Sequence, residues 1–261
     1  MTRPWALILG ASSGFGEAVA RAFAAQGYGI IGLHLDRRAA AEHVAALVAD
    51  LESCGGPVRF INMNAADDEK REATLDELAL LVGSGGVRVL LHSLAFGTLT
   101  SFVPQADGRK GVSRKQLEMT LDVMAHSLVY WTQGLVRRGM MGPGGRIFAM
   151  TSAGSHRVMP DYGPVSAAKA ALESHCRQLA VELAPQGITV NAILAGVTDT
   201  PALRKIPGNE RLIELATRAN PHGRLTRPED VAACLVELAR PGTGWLTGNV
   251  LRVDGGEDIS G

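Results

Sequence analysis

Tyr162 and Lys169 stand seven positions apart in the segment Pro160–Leu172, and their side chains could act together in proton transfer. Seven residues at about 100° each turn a helix through about 700°, so a helix through this segment presents both side chains on one face. A lysine ammonium favours the phenolate and lowers the pKa of tyrosine from about 10 towards neutrality, which makes the phenol a usable proton donor. A half-buried ring beside a solvated amine is the structural alternative.

A glycine-rich segment near the start of the chain could bind phosphate. The run Trp5–Gly10 predicts a short buried strand, residues 10–16 read Gly-Ala-Ser-Ser-Gly-Phe-Gly, and a helical pattern extends from Glu17 to Gln26. Glycines at such a turn let the backbone approach a pyrophosphate, whose charge meets free amides at the positive end of the helix. The spacing differs from the common Gly-x-Gly-x-x-Gly fingerprint, and a plain tight connection is the alternative. Its position at the first strand-to-helix junction favours nucleotide binding.

The composition limits the class of protein and of partner. The chain has 261 residues, of which 46% are hydrophobic and 20% charged, so it can bury the core of one large α/β domain spanning residues 1–261. Its 26 basic residues balance 26 acidic ones, and no polybasic run occurs. This balance argues against nucleic acid and an anionic membrane surface as partners, and favours a small molecule.

Cysteine use and hydropathy bear on the compartment and on metal binding. Cys54, Cys176 and Cys234 are widely spaced and lack metal-ligand spacing, which predicts reduced structural thiols and no metal site. No apolar run approaches the roughly 20 residues that span a bilayer. We therefore expect a cytoplasmic protein.

Apolar, strand-like runs alternate with helical patterns along the whole chain. This alternation predicts an α/β fold with a doubly wound parallel sheet of about seven strands and helices on both faces. Ligands of such sheets bind beyond the carboxyl ends of the strands. Two polar stretches, Gly97–Ser113 and Pro201–Asn220, are candidates for loops over a substrate. The predicted strands are Ala6–Leu9, Ile30–Leu35, Val58–Met63, Val87–His92, Arg146–Met150, Thr189–Leu194 and Val250–Val253.

Several motifs together resemble those of the short-chain dehydrogenase/reductase family over essentially the whole chain. They are the glycine-rich segment 10–16, the Tyr162 and Lys169 pair, Asn191 ahead of Ala195-Gly196, and the terminal segment Val253–Gly256. The resemblance implies a single-domain Rossmann fold, a homodimer or homotetramer, and hydride transfer to or from a nicotinamide cofactor.

The resemblance also implies roles for individual residues. Tyr162 would be the proton donor, Lys169 would hold the nicotinamide ribose, and Ser152, with Thr151 as the fallback, would bond the substrate carbonyl. Asn64 and Ala65 would contact the adenine. The implied cofactor contacts are Gly10, Ser12, Ser13, Gly14, Phe15, Gly16, His34, Arg37, Asn64, Ala65, Ser93, Leu94, Ala95, Tyr162, Lys169, Gly196, Thr198 and Thr200.

The choice between NADH and NADPH depends on the end of the second predicted strand. An acidic residue there accepts the ribose hydroxyls of NAD, and a nearby arginine accommodates the phosphate of NADP. In this chain His34 takes the position of that acidic residue and Asp36 follows, so Arg37 or Arg38 could reach a phosphate. This pattern favours NADPH. Two arginines at a solvated helix start are the alternative.

Departures from the family pattern narrow the expected reaction. The segment His92–Phe96 is similar to that of enoyl-acyl-carrier-protein reductases, which serve fatty acid biosynthesis, and Met124 stands where a ketone reductase holds a relay asparagine. The chain from Gly154 onward resembles the third, divergent type of bacterial enoyl reductase. The resemblance therefore implies NAD(P)H-dependent reduction of a 2-enoyl thioester, carried by acyl carrier protein or coenzyme A, in which Tyr162 stabilises the enolate.

Two other functions compete with this hypothesis. A carbonyl or alcohol oxidoreductase, such as a 3-oxoacyl thioester reductase, is consistent with Tyr162, Lys169 and Ser152. A nucleotide-binding protein without turnover is disfavoured because both chemically active side chains are present. His92, His126 and His156 are interpreted as structural histidines.

Overall fold

The computed structural model describes residues 3–206 and 208–260. It contains one seven-stranded parallel sheet in the order β3-β2-β1-β4-β5-β6-β7, which confirms the predicted doubly wound α/β fold. The strands end within one or two residues of their predicted bounds. They are β1 (Trp5–Leu9), β2 (Gly29–His34), β3 (Val58–Asn62), β4 (Val87–His92), β5 (Arg146–Thr151), β6 (Thr189–Ala195) and β7 (Val250–Val253).

Helices cover both faces of the sheet, which is why strands within it are buried along their whole length. Every residue of β1, β2, β5 and β6 is buried. Along β1, Leu7 and Leu9 point into one core, and Ala6 and Ile8 into the other. The helices are α1 (Gly14–Ala25), α2 (Ala41–Ser53), α3 (Asp68–Val82), α4 (Arg114–Leu121), α5 (Ser127–Arg137), α6 (Gly163–Leu183), α7 (Asn209–Ala219) and α8 (Pro228–Leu238).

The helices divide into two layers. Helices α3 to α6 bury their apolar faces with one side of the sheet, around Trp131 and Leu172, and α1, α2 and α8 bury theirs with the other, around Phe23 and Leu235. Local sequence fixes several helix starts: Asp67 accepts from the Lys70 amide ahead of α3, for example. A π-helical turn, Asp122–His126, joins α4 to α5. No helix in the described part of the chain is long and apolar enough to cross a membrane.

Candidate active site

The glycine-rich turn joins β1 to α1 at the carboxyl edge of the sheet. A β-carbon on Gly10 would lie 2.5 Å from the Ser93 carbonyl oxygen, and one on Gly16 would lie 1.8 Å from the Gly10 carbonyl oxygen. The turn therefore packs backbone against backbone and needs glycine at both places. Helix α1 begins at Gly14, earlier than predicted, and the Ser13 side chain makes no capping hydrogen bond. This arrangement fits a pyrophosphate bound by amides at the start of α1.

A cavity of about 270 Å³ at the end of β2 is lined by charged and polar residues together with apolar residues of α2. His34 ends β2 and lies 2.8 Å from Asp36, measured from Nδ1 to Oδ2. The Asn62 amide donates to the Asp36 carbonyl at 3.0 Å and fixes the turn after β2. The cavity is lined by His34, Asp36, Arg37, Arg38 and Asn62, among others. The structure thus brings together the residues that were predicted to choose between NADH and NADPH.

His43 is a neighbour of the glycine-rich turn that the sequence did not indicate. Its Nε2 lies 3.0 Å from the Ser12 carbonyl oxygen and 3.0 Å from Oε2 of Glu17. Because His43 lies on α2, it connects that helix to the turn and to α1. Only the packing of α2 beside α1 reveals this contact, since 31 positions separate His43 from Ser12.

The ends of β3 and β4 carry the next predicted cofactor residues. Asn64 accepts from the Ala66 amide at 3.0 Å, so its side chain shapes its own turn. The Ala65 carbonyl accepts from the Trp131 indole at 2.8 Å. The Ser93 amide donates to the Leu9 carbonyl at 2.8 Å, which holds the segment of Ser93, Leu94 and Ala95 directly beside the end of β1.

Thr198 and Thr200 lie in the segment that follows β6. The Thr198 hydroxyl donates to the Gly196 carbonyl at 3.0 Å, and the Thr200 hydroxyl accepts from the Leu203 amide at 3.2 Å. A β-carbon on Gly14 would lie 3.2 Å from the Thr200 methyl group, so this segment reaches the glycine-rich turn. The predicted cofactor residues after β1, β4 and β6 therefore share one edge of the sheet.

Tyr162 immediately precedes α6 instead of lying within it. The helix begins at Gly163, so the prediction of a helix through Tyr162 is corrected by one residue, although Tyr162 keeps helical dihedral angles. Its hydroxyl lies 3.4 Å from the Ser152 hydroxyl. The ring lies against Gly154, where a β-carbon would be 2.4 Å from the ring. Glycine at 154 therefore makes room for the phenol.

Lys169 lies two turns into α6, and its ammonium reaches the end of β5. It is buried and donates to the Met150 carbonyl at 2.8 Å and to the Leu94 carbonyl at 3.4 Å. Burial lowers the pKa of Lys169 to about 8. Burial also raises the pKa of Tyr162, and the hydrogen bond from Ser152 acts in the opposite direction. This rise is opposite to the fall predicted from the lysine, because desolvation of the phenol dominates.

The structure distinguishes Ser152 from Thr151 as the hydroxyl that could bond the substrate carbonyl. The Thr151 hydroxyl donates to Glu173 on α6 at 2.6 Å. The Ser152 hydroxyl accepts from the Gly154 amide at 3.2 Å and lies near Tyr162. Ser152 is therefore the hydroxyl available beside the phenol, while Thr151 is held by α6.

The histidine at the end of β4 is a buried structural residue. Nε2 of His92 lies 2.8 Å from the Ser127 hydroxyl, which itself donates to the Val123 carbonyl. Burial lowers the pKa of His92 to about 3, so the ring is neutral at physiological pH. Beside it, Met124 in the π-helical turn is buried, and a β-carbon on Gly97 would lie 2.7 Å from its sulfur.

The loop Gly97–Ser113 contacts both neighbours of Tyr162. A guanidinium nitrogen of Arg109 donates to Asp161 at 2.6 Å, and Asp161 has a φ of 58°, which is uncommon for a residue other than glycine. On the other side, a β-carbon on Gly163 would lie 2.7 Å from the ring of Phe102. The predicted substrate loop therefore packs on the backbone that positions the phenol.

Comparison with known proteins identifies the family to which this geometry belongs. The family model described as enoyl-(acyl carrier protein) reductase matches residues 10–257. This chain belongs to the short-chain dehydrogenase/reductase family, near the enoyl-acyl-carrier-protein reductases. The resemblance inferred from the motifs is thereby confirmed. The chain is an oxidoreductase of a family that binds NADH or NADPH.

Two relatives of this dehydrogenase/reductase are named as reductases. It is 34% identical over 180 residues to the enoyl-acyl-carrier-protein reductase (NADH) FabI of Aquifex aeolicus, a match that covers 68% of this chain and 64% of that protein. It is 30% identical over 260 residues to 1-cyclohexenylcarbonyl-CoA reductase of Streptomyces collinus, covering 98% and 88%. The crystal structure of the Aquifex aeolicus VF5 reductase superimposes with a TM-score of 0.85 at 27% identity, covering 100% of this chain and 98% of that one.

Proposed function

We propose that this protein reduces the carbon–carbon double bond of a 2-enoyl thioester with a nicotinamide cofactor. The observation that carries the proposal is Met124, which fills with a buried thioether the position where ketone reductases of the family hold a relay asparagine. A thioether donates no hydrogen bond, so Met124 itself cannot hold a water chain that feeds protons to a carbonyl oxygen. The names of both relatives, which denote enoyl thioester reduction, support the same reaction.

Reduction of an enoyl thioester requires hydrogen-bond donors at the thioester oxygen. A bound nicotinamide would supply a hydride to the β-carbon of the substrate, and negative charge would then gather on the thioester oxygen as an enolate. Tyr162 donates its phenol hydrogen to that oxygen, and the Ser152 hydroxyl, 3.4 Å from the phenol, is a second donor. The burial that raises the pKa of Tyr162 keeps the phenol protonated until the charge develops. A proton added at the α-carbon completes the reduction.

The same edge of the sheet holds the groups that would bind the cofactor. Gly10 and Gly16 let the turn pack tightly and Gly14 begins α1, so the amides at the start of α1 are the groups that would bind the pyrophosphate, and the buried Lys169 ammonium would hold the nicotinamide ribose. Arg37 and Arg38 line the cavity after β2, which favours the additional phosphate of NADPH over NADH. The other predicted cofactor residues keep the roles given to them above.

Reduction of a 3-oxoacyl thioester is the second candidate. It is favoured by the closeness of the Ser152 and Tyr162 hydroxyls, since a ketone oxygen between them would receive two hydrogen bonds. Hydride goes to carbon 3 in both reactions, and the candidates differ in the oxygen that becomes negative: the thioester oxygen for an enoyl substrate and the 3-oxo oxygen for a 3-oxoacyl substrate. A matched pair of substrates therefore separates them.

Oxidation of NADPH, and separately of NADH, with crotonyl-CoA and with acetoacetyl-CoA tests the proposal. We expect turnover of the crotonyl thioester, a preference for NADPH, and little turnover of the acetoacetyl thioester. Turnover of acetoacetyl-CoA alone would select the second candidate. Crotonyl-acyl-carrier-protein in a parallel assay identifies the carrier. A Met124→Asn variant that gains acetoacetyl activity would support the part assigned to Met124.

We further propose that the protein assembles as a homodimer or homotetramer through β7 and the residues around it. Strand β7 is at the edge of the sheet, and Trp245, Val250 and Ile259 are exposed near it. An edge strand with exposed apolar side chains favours association with another chain. Sedimentation of the native protein and of Trp245→Ser tests this, because a single monomer-sized species in both would refute it.

A further inference from the structure

A second cavity lies at the opposite, amino edge of the sheet. It has a volume of about 290 Å³ and lies where α1 and α8 meet the starts of β1 and β4. Its lining combines apolar residues, among them Phe23 and Val236, with the cationic residues Arg88 and Arg240. Tyr28 completes the lining. We call it the arginine cavity.

A third arginine, Arg146, lies behind the arginine cavity and is only 3% exposed. Its guanidinium donates to the carbonyls of Gly144 and Gly145 at 3.0 and 3.2 Å and to the carbonyl of Arg240 at 3.2 Å. Its buried Nε has no hydrogen-bond partner in residues 3–206 and 208–260. Arg146 is therefore joined to the cavity wall by the backbone of Arg240.

Arg88, near the start of β4, and Arg146, at the start of β5, are held by neutral carbonyls and not by carboxylates of the described residues. Arg88 donates to the Pro143 carbonyl at 2.8 Å. Across the described part of the chain, no carboxylate lies within 4.0 Å of Arg88 or Arg146, whereas the exposed Arg240 pairs with Glu237 at 2.9 Å. Buried charges in proteins are ordinarily paired with an opposite charge. Two cationic side chains at one edge thus lack a counter-charge.

The groups around the arginine cavity lie close enough to influence one another. Burial, together with the charge of Arg88, lowers the pKa of Arg146. Burial raises the pKa of Tyr28, and Arg88 and Arg146 act in the opposite direction. Tyr28 therefore stays a neutral hydroxyl that can donate a hydrogen bond, and the positive field of the two arginines is not cancelled by it.

We infer that the arginine cavity binds a small organic phosphate. Two uncompensated guanidinium charges match a doubly charged head group, and the planar donor fork of arginine matches phosphate oxygens. The two uncompensated charges are those of Arg88, which lines the cavity, and Arg146, which adds charge from behind; Arg240, which also pairs with Glu237, supplies a further donor from the wall. The apolar lining residues, among them Phe23 and Val236, accommodate a hydrocarbon or aromatic body. The cavity lies at the edge opposite to the glycine-rich turn, so the inference is independent of the proposed reaction.

Calorimetric titration of the full chain with phenyl phosphate, with inorganic phosphate as the head group alone, tests the inference. The titration is run with saturating NADPH and repeated without it, because the glycine-rich turn is another place where phosphate can bind. We expect saturable binding of phenyl phosphate, weaker binding of inorganic phosphate, and a loss of affinity of at least about tenfold in Arg88→Gln. Arg59→Gln, an exposed arginine on β3, is the matched control and should bind like the native chain.

Arg240→Gln gives a second variant should Arg88→Gln fail to fold, since the Arg240 side chain is largely exposed. It should also weaken phenyl phosphate binding while leaving crotonyl-CoA reduction unchanged, which separates this inference from the proposed function. Absence of saturable binding would overturn the inference. So would equal affinity in the native chain and both variants, or binding that appears only when NADPH is omitted, because the phosphate would then occupy the glycine-rich turn.

Discussion

Strand β5 has a buried cation at each of its ends, and the two cations differ in what they can do. At the carboxyl end, the Lys169 ammonium donates to the Met150 carbonyl; at the amino end, the Arg146 guanidinium donates to the carbonyls of Gly144 and Gly145. In the residues that the structure describes, neither forms an ion pair with a carboxylate. Both charges are thus held by backbone dipoles.

The difference between the two ends lies in proton affinity. Burial brings the pKa of Lys169 to about 8, so its charge depends on pH in the range where enzymes work. An arginine in a protein stays charged, so Arg146 provides a permanent positive field. The residues around the two cations differ in the same way. Lys169 lies at the same edge as the hydroxyls of Tyr162 and Ser152, whereas Arg146 lies beside the cationic Arg88. We therefore assign proton chemistry to the carboxyl edge and anion binding to the amino edge.

The largest effect is expected from removing the lysine. Lys169→Met should lower kcat/KM for the crotonyl thioester by at least about 100-fold, because the positive charge at the carboxyl edge is lost. Arg240→Gln, at the amino edge, should keep kcat/KM within about twofold, since distant sites act independently. Steady-state kinetics of both variants provide the measurement. Similar losses of kcat/KM in the two variants would contradict the assignment of proton chemistry to the carboxyl edge alone.

Gly16 and Gly142, one from each edge of the sheet, differ in how tightly they are packed, which a stability measurement tests. Gly16→Ala should lower the free energy of unfolding by about 1–3 kcal/mol, because the new methyl group would collide with the Gly10 carbonyl. Gly142→Ala, in the loop before β5, should change it by less than about 0.5 kcal/mol, since nothing lies within 4 Å of its added carbon. Urea unfolding of both variants and of the native chain measures these free energies. Equal losses would mean that the turn is not tightly packed.

The pH dependence of stability tests the titration of Lys169. Its folded pKa, about 8, is below the ordinary lysine value of 10.5, so between these values the unfolded chain binds a proton that the folded chain has released. The free energy of unfolding of the native chain should therefore rise with pH across this window relative to Lys169→Met. Below pH 8 the difference between the two chains should be constant. A difference that stays constant up to pH 10.5 would show that the lysine titrates normally.

A smaller effect is expected from the loop above the phenol. Arg109→Ala should lower kcat by up to about fivefold with little change in KM, since the pair with Asp161 positions Tyr162 but is exposed to solvent. Arg109→Lys should restore part of the activity. Arg114→Ala removes a neighbouring exposed arginine that pairs with Glu118 and is the control. Loss of activity in the control as well would assign the effect to the charge of the loop.

The parts that the sequence could predict are those that local pattern determines. Buried apolar runs located the strands to within one or two residues, and the glycine-rich turn was placed at the correct junction. Contacts between distant segments were not predictable, since 52 positions separate Arg109 from Asp161. Arg88 and Arg146 are similarly ordinary strand residues in the sequence, and only the pairing of β4 with β5 brings them together. The pKa of Tyr162 was predicted in the wrong direction, because burial of the ring is a tertiary property.

The most direct test of the account compares one tyrosine from each edge of the sheet. We would measure kcat/KM for crotonyl-CoA with NADPH in Tyr162→Phe and in Tyr28→Phe, each of which removes a single hydroxyl. The account predicts a loss of at least about 100-fold in Tyr162→Phe and a change of less than about twofold in Tyr28→Phe. Full activity in Tyr162→Phe would contradict it, because the enolate would then have to be stabilised elsewhere.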